Sequence, residues 1–473
     1  MSEPRDRIDD WLNRETEPLP PPAGTFERIS RRARRRKARR AALSAAGVAV
    51  VIGVAAAVPG IVSAVHGGAG QPAAPEAANS PRATAQPTAR GQGTGGVSSQ
   101  SSSPVGSESP PASLLNQSDP VPANFQPTSV TFIGLNTGAV IGQAGTTGHC
   151  ASPFCTSLAG TTDYGQKWFG VSAPRTGAPE GSSGVGQLRF LDTHDGWAFG
   201  PQLWVTDDGG AGWKQEPTHG MRVTDLETAG NRAFALFASC TGSGPEFGAH
   251  CSGFSLYTSE AGSDQWRRVP GPTANLPQAA TGQPGSASLV LAGSHGYLLA
   301  PSGEVFSGPL TGAAWTIADV QAPCAPGPPG PGGQPTGALL AAGSGQLILV
   351  CSSTTSAAGD TQTKIVMQSS NGGTTWSTAG DAPLAGIATS VAAAQGNLVV
   401  LATDSGLYLS GNGGTSWRLA EKGPAGATAG MRGFSYVGMT SNANGVALPA
   451  DASLGEVFIT TDGGSSWRPY SVS

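Results

Sequence analysis

Five octapeptides repeat one arrangement of side chains capable of chemistry: "TTDYGQKW" ending at Trp168, "TDDGGAGW" at Trp213, "SSNGGTTW" at Trp376, "SGNGGTSW" at Trp417 and "TTDGGSSW" at Trp467. Each sets a hydroxyl, then Asp163, Asp208, Asn371, Asn412 or Asp462, then Gly and Trp at fixed offsets. A carboxylate there could act as a general acid or base. Asn371 and Asn412 argue otherwise, because an amide replaces Asp as an acceptor for backbone N–H groups far better than as a proton-transfer group. The pattern suits a tight turn instead: Gly supplies φ > 0, the short polar side chains take up free N–H groups, and Trp covers the turn.

Hydrolysis by paired carboxylates needs two acids roughly 5–9.5 Å apart. Asp404 and Asp451, expected in equivalent loops of neighbouring repeats, are the best candidate catalytic pair, though most such acids are solvated turn residues. Arg189 in "LRFLD", Arg222 in "MRVTD" and Arg432 in "MRGFS" are expected on innermost strands facing a central channel, as binding residues. The sequence contains no Gly-x-Ser-x-Gly elbow, phosphate loop or His-Glu-x-x-His helix. His149-Cys150 and His250-Cys251 are weak hints of metal, so neither a metal site nor a cofactor is expected.

The elements that position these groups follow from the repeat. Two decayed copies, "TSEAGSDQW" ending at Trp266 and "GPLTGAAW" ending at Trp315, bring the Trp-marked units to seven. Upstream of each lies a preamble such as "LRFLDTHDGWAFGPQLWVTDDGGAGW", which reads as three short strands separated by Gly-containing turns, with a fourth beginning at the Trp. Four strands in roughly 40–50 residues make a propeller blade. The expected fold is all-β, a seven-bladed β-propeller over residues 128–473, with each octapeptide joining the third and fourth strands of its blade.

Residues 128–473 resemble the BNR/Asp-box propellers. "GWAFG" followed by "TDDGG..W" is most similar to the photosystem II assembly and stability factor-like branch of the sialidase-like superfamily. The resemblance implies the fold and leaves the activity open between non-catalytic assembly modules and glycosidases. Sialidases would imply an arginine triad, an Arg-Ile-Pro motif, an acid/base Asp and a Tyr nucleophile helped by Glu. The sequence has no Arg-Ile-Pro, and a packed or salt-bridged role for at least one of the three arginines is the plainer expectation.

The N-terminal part has a different composition. Residues 1–40 carry 12 Arg/Lys against 7 Asp/Glu, peaking in "RRARRRKARR", and are expected to be a basic cytoplasmic tail. Residues 41–65 hold no charge and as a helix would rise roughly 35 Å, enough to cross a bilayer. Basic residues flank only the N-terminal side of that span, which places the remainder outside the membrane. A cleaved signal peptide ending at "VSA" is the rival. Residues 66–127, rich in Pro, Ala, Gly, Ser, Gln and Thr, are expected to be a disordered tether. All six cysteines follow the span, as expected for an oxidising compartment, and Cys150/Cys155, Cys240/Cys251 and Cys324/Cys351 pair by proximity.

The expected function is therefore a membrane-anchored, extracytoplasmic, monomeric propeller acting as a non-catalytic protein- or glycan-binding or assembly module, with no nucleic acid partner. Its partner is expected on the long-loop face, near Arg189, Arg222 and Arg432. The alternatives are a cell-surface glycoside hydrolase of sialidase type and a transmembrane signalling protein whose cytoplasmic tail docks a regulator.

Overall fold

The computed structural model describes residues 119–473 apart from short segments at 146–153, 177–183, 241–250, 264, 272–286, 301–302, 319–323, 325–334, 344, 356–360 and 429. The expected tail (1–40), membrane span (41–65) and most of the tether (66–127) lie outside the described residues, as does Cys150. No helix among the described residues is long and apolar enough to cross a membrane.

Seven four-stranded antiparallel sheets follow one another along the chain, each a simple meander. They span residues 126–171, 187–216, 222–268, 288–317, 335–381, 388–422 and 434–471, and are numbered here as blades 1 to 7. Middle strands such as Gly196–Phe199, Val399–Thr403 and Gly445–Pro449 are buried along their whole length, because a neighbouring blade covers each face. The core accordingly lies between blades: Phe234 and Leu256 of blade 3 pack with Leu289, Leu298 and Trp315 of blade 4. Fully burying each such side chain contributes about 1.5–3 kcal/mol. The outermost strands of blades 3 and 4, Arg267–Arg268 and Thr316–Ile317, are too short to offer an edge for further pairing.

The described residues join the propeller ahead of the expected boundary at 128. The first strand begins at Gln126, Phe125 is already buried, and Asp119 bridges to Gly170 on the outer strand of blade 1. The Gly170 N–H donates to the Asp119 carbonyl at 2.5 Å. A Cβ on Gly170 would overlap the Pro120 carbonyl, so this close approach requires glycine.

The ring closes by contact between blades 1 and 7, with no strand exchanged between them. Tyr164, the fourth residue of the first octapeptide, stands at φ 62°, where the other four octapeptides place Gly209, Gly372, Gly413 and Gly463 at φ 70–73°. Left-handed backbone costs a tyrosine on the order of 1–2 kcal/mol. Its ring is buried in the core shared by the two blades, and its hydroxyl donates to the carbonyls of Gly445 (3.2 Å) and Thr460 (3.4 Å) of blade 7. Burial pushes its pKa up to about 12. The strained tyrosine is a clasp across the seam.

The disulfides Cys240–Cys251 and Cys324–Cys351 are both formed. The first joins directly paired positions on the second and third strands of blade 3, and the second ties the crossing from blade 4 to the second strand of blade 5. Cys155 is also disulfide-bonded.

Candidate functional site

The octapeptides, hereafter boxes, join the third and fourth strands, and all five share one set of hydrogen bonds. The leading hydroxyl (Thr161, Thr206, Ser369, Ser410 or Thr460) accepts the N–H of the fifth residue, a glycine, at 2.8–2.9 Å. The same hydroxyl donates to Oδ1 of Asp163, Asp208, Asn371, Asn412 or Asp462 at 2.9 Å. That oxygen also accepts the N–H of the seventh residue at 2.8–3.0 Å. Aspartate and asparagine therefore make the same contacts through Oδ1, and the turn itself occupies that acceptor. The tryptophans close the motif: Trp376 and Trp417 donate to carbonyls of their own turns at 3.0 Å, and Trp213 donates to the carbonyl of Ser172, just past the end of blade 1. Trp168 and Trp467 are buried at blade contacts.

Asp404 and Asp451 do occupy equivalent loops, between the second and third strands of blades 6 and 7. Each is engaged by its surroundings. Asp404 Oδ1 accepts the Ile387 N–H at 2.7 Å, and its Oδ2 lies 3.7 Å from Arg432 Nη2. Asp451 is 3% exposed and caps a single 3₁₀ turn. Its Oδ1 accepts the hydroxyl and N–H of Ser453, and its Oδ2 accepts the N–H of Thr428. The Ser453 hydroxyl, with the Thr428 N–H, holds the Asp451 carboxyl below the usual carboxylate range. Such a group stays ionised and cannot donate a proton at neutral pH.

The three arginines do not form one clamp. Arg189 lies on the innermost strand of blade 2, and Arg222 begins that of blade 3, at the end facing the long loops. Arg432 stands outside the innermost strand of blade 7, which starts at Phe434; it bridges instead to Ala425 in the crossing from blade 6, half exposed beside Asp404. Gly433, at φ 75°, turns the chain between the two and separates Arg432 from the strand.

Arg189 is instead part of a group assembled from three innermost strands. Its Nε and Nη2 donate to Glu227 Oε1 of blade 3 at 3.0 and 2.9 Å, and its Nη1 donates to the Leu188 carbonyl at 2.8 Å. Asp225, two residues before Glu227, accepts the N–H groups of Leu226 (2.8 Å) and Leu289 (2.7 Å), the latter from blade 4. Burial, reinforced by the charge of Glu227 and opposed by Arg189, pushes the Asp225 carboxyl up to about 7. Burial opposes the charge on Arg189, but Glu227, Tyr436 and Asp225 outweigh it and hold the guanidinium above its ordinary value. Tyr436 of blade 7 feels the same three charges, and burial raises its hydroxyl.

Because Asp225 holds its proton more tightly when folded than when unfolded, the native state binds more protons between about pH 4 and 7. Stability should therefore rise as pH falls through that window, by about 2–4 kcal/mol for this group. Urea denaturation from pH 7.5 to 4.5 checks this, and Asp225→Asn should flatten the profile.

Two clefts open on one face of the ring, the smaller of them over this group. One, of about 660 Å3, is lined by Arg189, Glu227, Tyr436 and the turns at Leu135, Leu191 and Gly230 of blades 1 to 3. The other, of about 1090 Å3, is lined by turns of blades 4 to 7 with His295, Tyr297, Gln346, Asn371 and Gln395. Met439 and Thr440 line both. All these turns join first to second strands and so share a face with the boxes; Ser370, Asn371 and Gly372 of the blade 5 box belong to the lining. The clefts thus lie on the face opposite the long loops where the partner was expected. Sequence reasoning missed Asp225, Glu227 and Tyr436; two acids at alternate positions of one innermost strand were the available signal. Among the described residues no group of His, Cys, Asp and Glu could hold a metal ion.

No family model matches the chain, and no curated protein matches it. Among solved structures it is similar to YCF48 from Cyanidioschyzon merolae, with 14% identity over 60% of this chain and 83% of that one, at a TM-score of 0.39. An ancestral GH74 enzyme shares 13% identity over 77% of this chain and 48% of its own, at a TM-score of 0.46. The β-propeller domain of the Trilobed protease from Pyrococcus furiosus shares 8% identity over 73% and 97%, at a TM-score of 0.39.

Proposed function

We propose that the chain is a non-catalytic binding module: a β-propeller, carried outside the cell membrane by the span at 41–65, that holds a protein or glycan partner. The observation that supports this most is the engagement of its acids. Box carboxylates serve their own turns, Asp451 caps a turn with both oxygens, and Asp404 is held by Ile387 and Arg432. Paired-carboxylate hydrolysis requires one acid free to give up a proton and another free to act as base or nucleophile. The full-length chain should show no turnover of a panel of fluorogenic glycosides, and turnover abolished by Asp404→Asn would overturn the proposal.

A glycoside hydrolase is the second reading, favoured by one observation: Glu227, with a partly exposed carboxylate, lines a cleft together with Arg189 and Tyr436. Its signature would be turnover lost in Glu227→Gln and retained in Asp404→Asn.

A further inference from the structure

Asparagine followed by glycine occurs at three places in the chain: Asn371-Gly372 and Asn412-Gly413, at the third and fourth positions of boxes, and Asn444-Gly445. A glycine nitrogen has no neighbouring Cβ to obstruct its approach to the preceding side-chain amide. The boxes of blades 5 and 6 hold their pairs in one frame. In each, Oδ1 of the asparagine accepts the leading hydroxyl, Ser369 or Ser410, at 2.9 Å. It also accepts the N–H of Thr375 at 3.0 Å or of Ser416 at 2.9 Å. Nδ2 donates to the hydroxyl of the same residue, at 2.8 Å to Thr375 and 2.9 Å to Ser416. Gly372 and Gly413 stand at φ 70° and 71°.

One hydrogen bond separates the two. In four boxes the N–H of the fourth residue donates to a carbonyl in the turn between the first and second strands. Tyr164 reaches Asn136, Gly209 reaches His194, Gly413 reaches Asn397 and Gly463 reaches Ala443, all at 2.8–2.9 Å. In the box of blade 5, the Gly372 N–H meets no such carbonyl among the described residues, and Gly372 is partly exposed where Gly413 is buried. An N–H that donates to a carbonyl resists deprotonation, because its anion would face that oxygen. Gly445 is buried on the second strand of blade 7. Gly372 is thus the nitrogen of the three that water can deprotonate most readily.

We propose that Asn371 is a self-modifying site, at which the Gly372 nitrogen displaces the side-chain amide. The deprotonated nitrogen attacks Cγ, and the Ser369 hydroxyl and Thr375 N–H take up the charge that develops on Oδ1. The Thr375 hydroxyl relays a proton from water to Nδ2, which leaves as ammonia. The bond from Gly372 N to Cγ forms and the bond from Cγ to Nδ2 breaks. Water then adds to Cγ, reopens the ring and returns a proton to the Gly372 nitrogen. Because the two donors polarise Cγ, the ring opens to ordinary aspartate, which Asp163, Asp208 and Asp462 show to fit the frame. Asn371 lines the larger cleft, whose lining has no Asp, Glu, Lys or Arg, so the product brings a negative charge into a neutral cleft. The chemistry is the same whatever the cleft binds.

Tandem mass spectrometry of the full-length chain aged at about pH 8 tests this. In the folded chain, acid should accumulate at 371 at least about tenfold faster than at 412 or 444. In urea the three rates should agree within about threefold, with 371 no faster than in the folded chain. Thr375→Val, at an exposed position, should slow 371 at least about tenfold while 412 and the melting temperature stay unchanged. Thr375→Ser, the arrangement of blade 6, should keep the parent rate. An endoproteinase that cuts before aspartate should cleave the aged chain at 371. Equal folded rates at 371 and 412, faster reaction at 371 in urea, a Thr375→Val chain that reacts like the parent, or a β-linked product that resists this cleavage would each overturn the proposal.

Discussion

Trp315→Ala should cost about 4 kcal/mol, within the 3–5 kcal/mol typical of emptying a buried aromatic site. Trp315 ends the most decayed box, which has lost both its hydroxyl and its carboxylate. By motif alone, blade 4 would be the one to tolerate change. The structure argues the reverse. Trp315 is 1% exposed, more deeply buried than Trp168 at 8% or Trp467 at 5%. Its indole lies against Gly296 and Gly308, where a Cβ would overlap the ring, and its ring centroid is 6.0 Å from that of Phe234 in blade 3. Two glycines have made room for one tryptophan. The turn chemistry has gone while the wedge between blades 3 and 4 remains. A lower urea midpoint with an unchanged m-value would report this loss directly. A cost below about 1 kcal/mol would mean that the interface closes over the gap.

Lys364→Met should cost about 3 kcal/mol, because it takes the lysine donor from the buried carbonyls of Gln362 and Gly386, at about 1–3 kcal/mol each, while relieving the desolvated charge. Lys364 is fully buried on the third strand of blade 5. Its Nζ donates to the carbonyls of Gln362 (2.8 Å), Leu384 (3.2 Å) and Gly386 (2.8 Å), the last two in the crossing to blade 6. Burial lowers its pKa to about 8, against the pull of Asp404. Lys364→Arg should not restore stability, since a planar fork cannot address three converging carbonyls from a sealed site. Urea denaturation measures both variants. Amide exchange at 384–387 should quicken in Lys364→Met, because these carbonyls hold the crossing in place.

What was legible in the sequence was what is local. A box closes its hydrogen bonds within eight residues, so its residue types announce its geometry, and seven such units spaced along the chain announce the blades. Asp404 and Asp451 could be placed in equivalent loops for the same reason. The channel group was hidden because Arg189, Asp225, Glu227 and Tyr436 come from blades 2, 3 and 7, and only closure of the ring brings them together. Arg432 was misplaced because "MRGFS" has the apolar flanks of a strand, while Gly433 turns the chain before the strand starts. Lys364 shares the buried side of its strand with Gln362 and Val366, an alternation that could have been read, but lysine is so rarely buried that composition masked it.

The seam between blades 1 and 7 bears on how such a ring can change over generations. Where a propeller closes by lending a strand from one end of the chain to the other, a tandem duplication leaves incomplete sheets. Here each blade is encoded by one uninterrupted stretch. A duplicated or deleted stretch therefore adds or removes a whole blade, and new termini can be cut at any blade boundary. The closing contact must then travel with the ends, and its chief mark is one codon, that of Tyr164, where the four other boxes specify glycine. Tyr164 marks that closing contact among the five boxes, since the other four have glycine at its position.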